Sequence, residues 1–150
     1  MAVLRDRPYA QFNFLGDLGD GDTEGPHAGF QECSGISMSV DVVEYRNGND
    51  KANEVRKLTG LARYPDVTLR RGLIGSLDLY AWLNDIRNGS FNALRTVTVQ
   101  LQNEERSAVV QEWKLIRARI IKHTSGPFNA MCSEVAMEEL TLAYERLEME

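Results

Sequence analysis

With 150 residues, 43% apolar and 26% charged, the chain has the size and composition of one soluble globular domain and is too short for two ordinary ones. A formal charge of -5 leaves no overall basic footprint for phosphates, which argues against a sequence-specific nucleic-acid binder. The charge is uneven: residues 46–72 carry seven basic and three acidic side chains, whereas residues 1–45 and 134–150 are both strongly acidic.

In chain order, Tyr9–Leu15 alternates aromatic and polar residues and predicts a strand with Phe12 and Phe14 on one face. Gly16–Gly29 is rich in Gly and Asp and reads as a loop. Phe30–Cys33 then leads into Ile36–Tyr45, where Ile36, Met38, Val40 and Val42 share one face and Ser37, Ser39 and Asp41 the other. Period-2 alternation of that length predicts a strand whose apolar face packs against the core. Arg46–Pro65 is a long polar excursion, of a length that in a compact domain usually serves function or a neighbour. Val67–Arg71 reads as a short strand.

Ser76 is placed to cap a helix over Leu77–Asn88, stopped by Gly89. Leu79, Trp82, Leu83 and Ile86 give that helix one apolar stripe, which should lie on a sheet. Arg95–Gln102 alternates again, with Val97, Val99 and Leu101 facing one way and Thr96, Thr98, Gln100 and Gln102 the other. Asn103–Ser107 is a turn, and Val109–His123 a long strand that should bend midway. Glu134–Leu147 has helical composition but alternates at Leu140, Leu142 and Tyr144, and is assigned to a strand. The whole chain, 1–150, is thus one domain, mainly β with one α-helix: six or seven antiparallel strands in a sandwich or small barrel, with the helix packed on it.

No reactive constellation emerges, and the chain reads as a non-enzyme. Asp20-Gly-Asp22-Thr-Glu24-Gly25 imitates the start of a calcium loop, but Gln31 stands where the bidentate glutamate belongs. His27 and His123 have no metal-ligand spacing and no evident partner, and read as surface or interface residues. Cys33 and Cys132 lie too far apart for a redox or zinc motif and read as reduced structural thiols. Trp82 and Trp113 read as core anchors. No cofactor or metal is implied. No apolar run predicts a signal peptide or a membrane span, so synthesis and assembly in the bacterial cytoplasm are expected.

Taken together and in order, PYAQFNFL, AGFQECSGIS with VDVVEYRNGN, KLTGLARYPDVTLRRGLIGSLDLYAWL and SEVAMEELTLAYERL resemble tail tube proteins. These belong to contractile-tailed phages and to extracellular contractile injection systems and antifeeding-type particles. The resemblance covers nearly the whole chain. It implies a fold related to the hemolysin-coregulated protein of the type VI secretion tube. It also implies hexameric rings that stack head to tail around a lumen for effector or DNA passage. Expected partners are further copies of the chain, a sheath, a baseplate and a tail terminator, in a virion or a phage tail-like particle.

In such proteins the segment matching Arg46–Pro65 engages neighbouring subunits. The contact candidates are therefore Arg46, Asn49, Lys51, Arg56, Lys57, Leu58, Leu61 and Tyr64, with the acidic termini of the next ring as their complement. Ser37, Ser39 and Asp41, or Thr96, Thr98 and Gln100, would line the lumen with hydroxyls and amides. Two other readings stay open at this point: a ring that initiates the tube at the baseplate, and a small-ligand-binding barrel.

Overall fold

The computed structural model describes residues 2–21, 25 and 28–150, so the calcium-like part of the acidic loop (Asp22, Glu24) and His27 lie outside the described residues. In chain order the elements are β1 (Phe14–Asp17), β2 (Phe30–Ser34), β3 (Ser39–Tyr45), β4 (Arg56–Arg63), β5 (Val67–Gly72), α1 (Asp78–Arg87), β6 (Arg95–Gln102), β7 (Val109–Ser125), β8 (Met137–Ala143) and β9 (Arg146–Met149). Seven of these strands form one antiparallel sheet, ordered β1-β6-β7-β8-β5-β2, with β9 beside β7. β3 and β4 form a separate two-stranded hairpin.

The long strand β7 lets one sheet serve as two walls. Its first half pairs with β6 and β9, its second half with β8. Between the halves Arg117 takes a positive φ of 53°, and the strand turns there. The chain reverses against this bend: the Glu145 amide donates to the Ile116 carbonyl, and its carboxylate accepts from Arg117 and Arg119 at 3.2 and 3.3 Å. The C-terminal segment assigned to one strand is therefore two, β8 and β9, joined at this corner.

The alternating residues of the two walls meet in the core. Val67, Leu69, Val97, Leu115, Ala118, Ile120, Leu140 and Leu142 are all buried. The stripe on α1 closes over them, chiefly against β7, with Leu79 and Trp82 buried and Leu83 and Ile86 packed against the cluster. Trp82 also donates its indole N–H to the Ala93 carbonyl at 2.6 Å, which satisfies its one polar group in the core. Ser76 lies one residue outside the cap position, which Leu77 occupies; its hydroxyl accepts from the Asp78 amide at 3.3 Å.

Three features differ from expectation. The first strand begins at Phe14; the residues before it are held by single backbone bonds, from the Gln102 amide to the Asn13 carbonyl and from the Val3 amide to the Val110 carbonyl, and by side chains. The Ala10 amide donates to Glu104, and the Asn13 side chain donates to the carbonyls of Asn103 and Glu104. The apolar face of β3 does not pack on the core: Val40 and Val42 are exposed, as is Met38 before them. The excursion 46–65 is not a loop throughout, since Arg56–Arg63 is strand β4.

Candidate functional site

The β3–β4 hairpin stands clear of the barrel. Opposed pairs Tyr45↔Arg56, Val43↔Leu58 and Ser39↔Arg63 occupy one face, with Asp41 bonded to Arg63 at 2.6 Å. The pairs Glu44↔Lys57, Val42↔Thr59 and Val40↔Ala62 occupy the other. A bulge at Gly60–Leu61 keeps both ends in register. The site is tight: a Cβ on Gly60 would sit 3.2 Å from the Asp41 carbonyl oxygen. Every residue of β4 is exposed, and so are Val40, Val42, Val43, Tyr45, Leu58 and Leu61. An isolated two-stranded hairpin with apolar side chains on both faces is marginal in water. These faces therefore call for cover.

The tip is nonetheless ordered from within. Asp50 accepts from the Asn47 amide at 3.0 Å and from Arg56 at 3.3 Å, while Arg46 donates to the carbonyls of Asp50 and Ala52. Of the contact candidates, Arg46, Asn49, Lys51, Arg56, Lys57, Leu58 and Leu61 all sit exposed on this one projection. Tyr64 differs. It packs against the core, its ring centroid 5.9 Å from that of Tyr144.

The two groups of lumen candidates lie on separate parts of the molecule. Ser37, Ser39 and Asp41 are at the base of the hairpin, and Asp41 is held by Arg63. Thr96, Thr98 and Gln100 are on the outer face of β6, where Thr98 opposes Lys114 and Gln100 opposes Glu112. Lys114 in turn pairs with Glu150 at 2.9 Å. That face thus alternates charges with its hydroxyls and amides, and is not the neutral surface the β6 sequence alone suggests.

A second feature lies at the other end of the sheet order. Among the described residues β1 pairs only with β6, and β2 only with β5, so the barrel has a seam between β1 and β2. The seam is bridged by a side chain: the Phe30 ring covers Gly16 so closely that a Cβ there would come within 2.8 Å of it. Beside that bridge opens a cleft of about 680 Å³, lined by apolar Phe12, Phe14, Ile36, Val99, Leu101 and Trp113, by Cys33, and by polar Gln11, Gln31, Glu32 and Arg70. Burial pushes the Cys33 thiol up to about 11, the adjacent Glu32 adding to the effect. Trp113 is half-buried, packed against the core and lining the cleft, whereas Cys132 is exposed, which corrects the expectation that it is a structural thiol.

One charged cluster is internal. Arg71 and Glu138 are 1% and 3% exposed and joined by a short hydrogen bond, and Arg71 also grips Asp78 at the start of α1. Burial alone would raise Asp78, but the bonds from Arg71 and Ser76 prevail and hold it below its ordinary value. His123 approaches the second oxygen of Glu138 at 3.1 Å, so it has the partner that its sequence neighbourhood does not show. Pairing of β7 with β8 supplies it. The cluster's charges answer one another and lock α1 to the sheet, an arrangement that serves stability.

Among curated proteins none matches the sequence. Among solved structures the chain resembles one in an extracellular contractile injection system, a PVC sheath–tube complex in the extended state. There the identity is 27%, the TM-score 0.83, and the match covers 97% of this chain and 93% of the other. It is similar also to a chain of the anti-feeding prophage tube-terminating cap, at 26% identity and TM-score 0.84, covering 100% and 95%. Hcp1 from Flavobacterium johnsoniae, at 13% identity and TM-score 0.54 over 91% and 93%, shares the fold. The family model described as T4-like virus tail tube protein gp19 matches residues 10–148, and the chain accordingly belongs to this family of tail tube proteins.

Proposed function

We propose that the chain is the repeating inner-tube subunit of a contractile injection particle or contractile phage tail, acting by self-assembly and without catalysis. Six copies close into a ring, and rings stack head to tail inside a sheath, with a baseplate at one end and a terminator at the other. Cargo passes along the lumen. Assembly takes place in the bacterial cytoplasm. The observation that carries this reading is the β3–β4 hairpin, a preformed element with apolar side chains exposed on both faces. A tube subunit must present unlike surfaces that repeat without closing along the axis, and a projecting ribbon answers that need. Resemblance to chains in sheath–tube, terminator and cap assemblies supports the same set of partners.

The test is removal of the hairpin. Ser39 and Arg63 are an opposed pair, so Val40–Ala62 can be replaced by an Asn-Gly turn. The shortened chain should keep its thermal unfolding transition, since the hairpin adds nothing to the core, while electron microscopy should show tubes for the parent and none for the variant. Tubes from the shortened chain would overturn the reading. Rings that never stack in the parent would instead favour a cap or initiator.

A further inference from the structure

We infer that the cleft at the β1–β2 seam is the receptor for the hairpin of a second copy of this chain, with the Val43–Leu58–Tyr45 face of the incoming hairpin seated on Phe12, Phe14, Ile36, Leu101 and Trp113. The inference rests on the tube-subunit reading and names the surface that completes it.

Three observations select this occupant. The first is apolar match. The cleft is an open concavity of the size that holds several side chains, with an apolar wall of Phe12, Phe14, Ile36, Leu101 and Trp113 facing polar Gln11, Gln31, Glu32 and Arg70, and Phe12 is exposed. The hairpin face carries the opposed Val43 and Leu58 with Tyr45 next to them, each about half exposed. Two unlike apolar surfaces on one chain satisfy each other between copies through a heterologous contact.

The second is reach. The hairpin leaves the barrel beside the cleft, because Ile36 lines the cleft and β3 begins at Ser39. The eight residues of β4 extend about 26 Å at the usual rise of a strand. A domain of this length has a radius of gyration of about 15 Å. The tip therefore travels about as far as the next subunit.

The third is charge. Arg56 lies on the same hairpin face as Leu58, whereas Lys57 lies on the opposite face. Glu32 lines the cleft with its side chain 52% exposed and 3.4 Å from Arg70, which lines it too, while Arg56 is 63% exposed at 3.3 Å from its own Asp50. An incoming Arg56 meets a carboxylate with room to accept it. Hairpin basicity is thus used face by face, in contrast to a general attraction between basic segment and acidic termini.

The cleft contains its own probe. Cys33 lines it, so Leu58→Cys in a Cys132→Ser background should link to Cys33 of a neighbouring copy when assembled tubes are oxidised with copper–phenanthroline. A disulfide requires the two Cα atoms to come within about 7 Å, so random encounters contribute little. The expected result is a ladder of covalent multimers on a denaturing gel, lost when Cys33→Ser is added. Well-formed tubes without the ladder would overturn the receptor assignment and leave the tube reading standing. Failure of the parent chain to form tubes would count against the tube reading itself. As a second arm, Arg56→Glu should slow tube growth at low salt more than Lys57→Glu does. Equal effects would remove the pairing with Glu32. Emission from Trp113 should shift to the blue as tubes form, while the already buried Trp82 stays constant; an unchanged spectrum in tubes would likewise defeat the assignment.

Discussion

In β6, Val97 and Val99 are 0% and 3% exposed, whereas in β3 Val40 and Val42, with the same spacing, are 50% and 58% exposed. Both strands alternate apolar and polar residues, and both pair antiparallel with a neighbour. The difference lies in what covers them. β6 lies in a sheet that curls around its own core under α1, while among the described residues β3 pairs with β4 alone. Alternation therefore marks a face destined for burial without saying which chain buries it. On the proposed assembly, interface and core are written in the same pattern.

The barrel is most vulnerable at its buried charges. Glu138→Ala removes the carboxylate shared by Arg71 and His123, and takes one of its acidic partners from a buried guanidinium that also binds Asp78. Breaking a buried pair from one side costs about 3–5 kcal/mol. Urea unfolding should show a loss of that size, and tubes should fail because the subunit fails. Stability within 1 kcal/mol of the parent, roughly the range of an ordinary surface substitution, would mean that the cluster is not what fixes α1 to the sheet.

The opposite separation is expected in the hairpin. Val43→Ser with Leu58→Ser deletes an opposed apolar pair that contributes about 0.2–1 kcal/mol, and only to the hairpin. The subunit's unfolding transition should be unchanged, while tube assembly should be lost by electron microscopy. Assembly that persists would show the exposed pair to be ordinary surface and would dissolve the contrast with β6.

How much of this was readable follows from which interactions are local. β6 occupies the stretch its alternation predicts, Arg95–Gln102, and the α1 stripe buries as its spacing requires. β4 was not readable as a strand: RKLTGLAR has charged ends and a central glycine, and its extended form depends on pairing with β3. The division of the C-terminal segment into β8 and β9 was hidden for a similar reason. It depends on Arg117 and Arg119, which hold Glu145 from a bend 26 to 28 residues away. His123 gained its partner only when β7 met β8, and the seam cleft only when β1 and β2 came together from opposite ends of the sheet order. The contact residues on the hairpin were nameable in sequence, since a basic excursion is a local feature, yet their division between two faces required the register.

The smallest effect sharpens the contrast by using the same chemistry in a third place. Arg5 grips Glu104 through both guanidinium nitrogens, stacks 3.8 Å from the Tyr9 ring centroid, and holds the N-terminal arm against the β6–β7 turn, leaving Leu4 98% exposed. Unlike Arg71, this arginine sits at the surface, so its removal should not unfold the barrel. The bond from Arg5, with backbone amides helping, lowers Glu104 to about 2 from an ordinary 4.5. A carboxylate depressed in the folded state contributes fully above its unfolded value, and the contribution fades as pH falls through the folded one. Between about pH 4.5 and 2 the arm should progressively loosen while the core strands stay protected, as read by amide hydrogen exchange at Ala10 against Leu142. Glu104→Gln should loosen the arm already at neutral pH and abolish that acid dependence. An arm equally protected in the variant would show that Val3, bonded to the Val110 carbonyl at 2.8 Å, and the Asn13 contacts hold it without the ion pair.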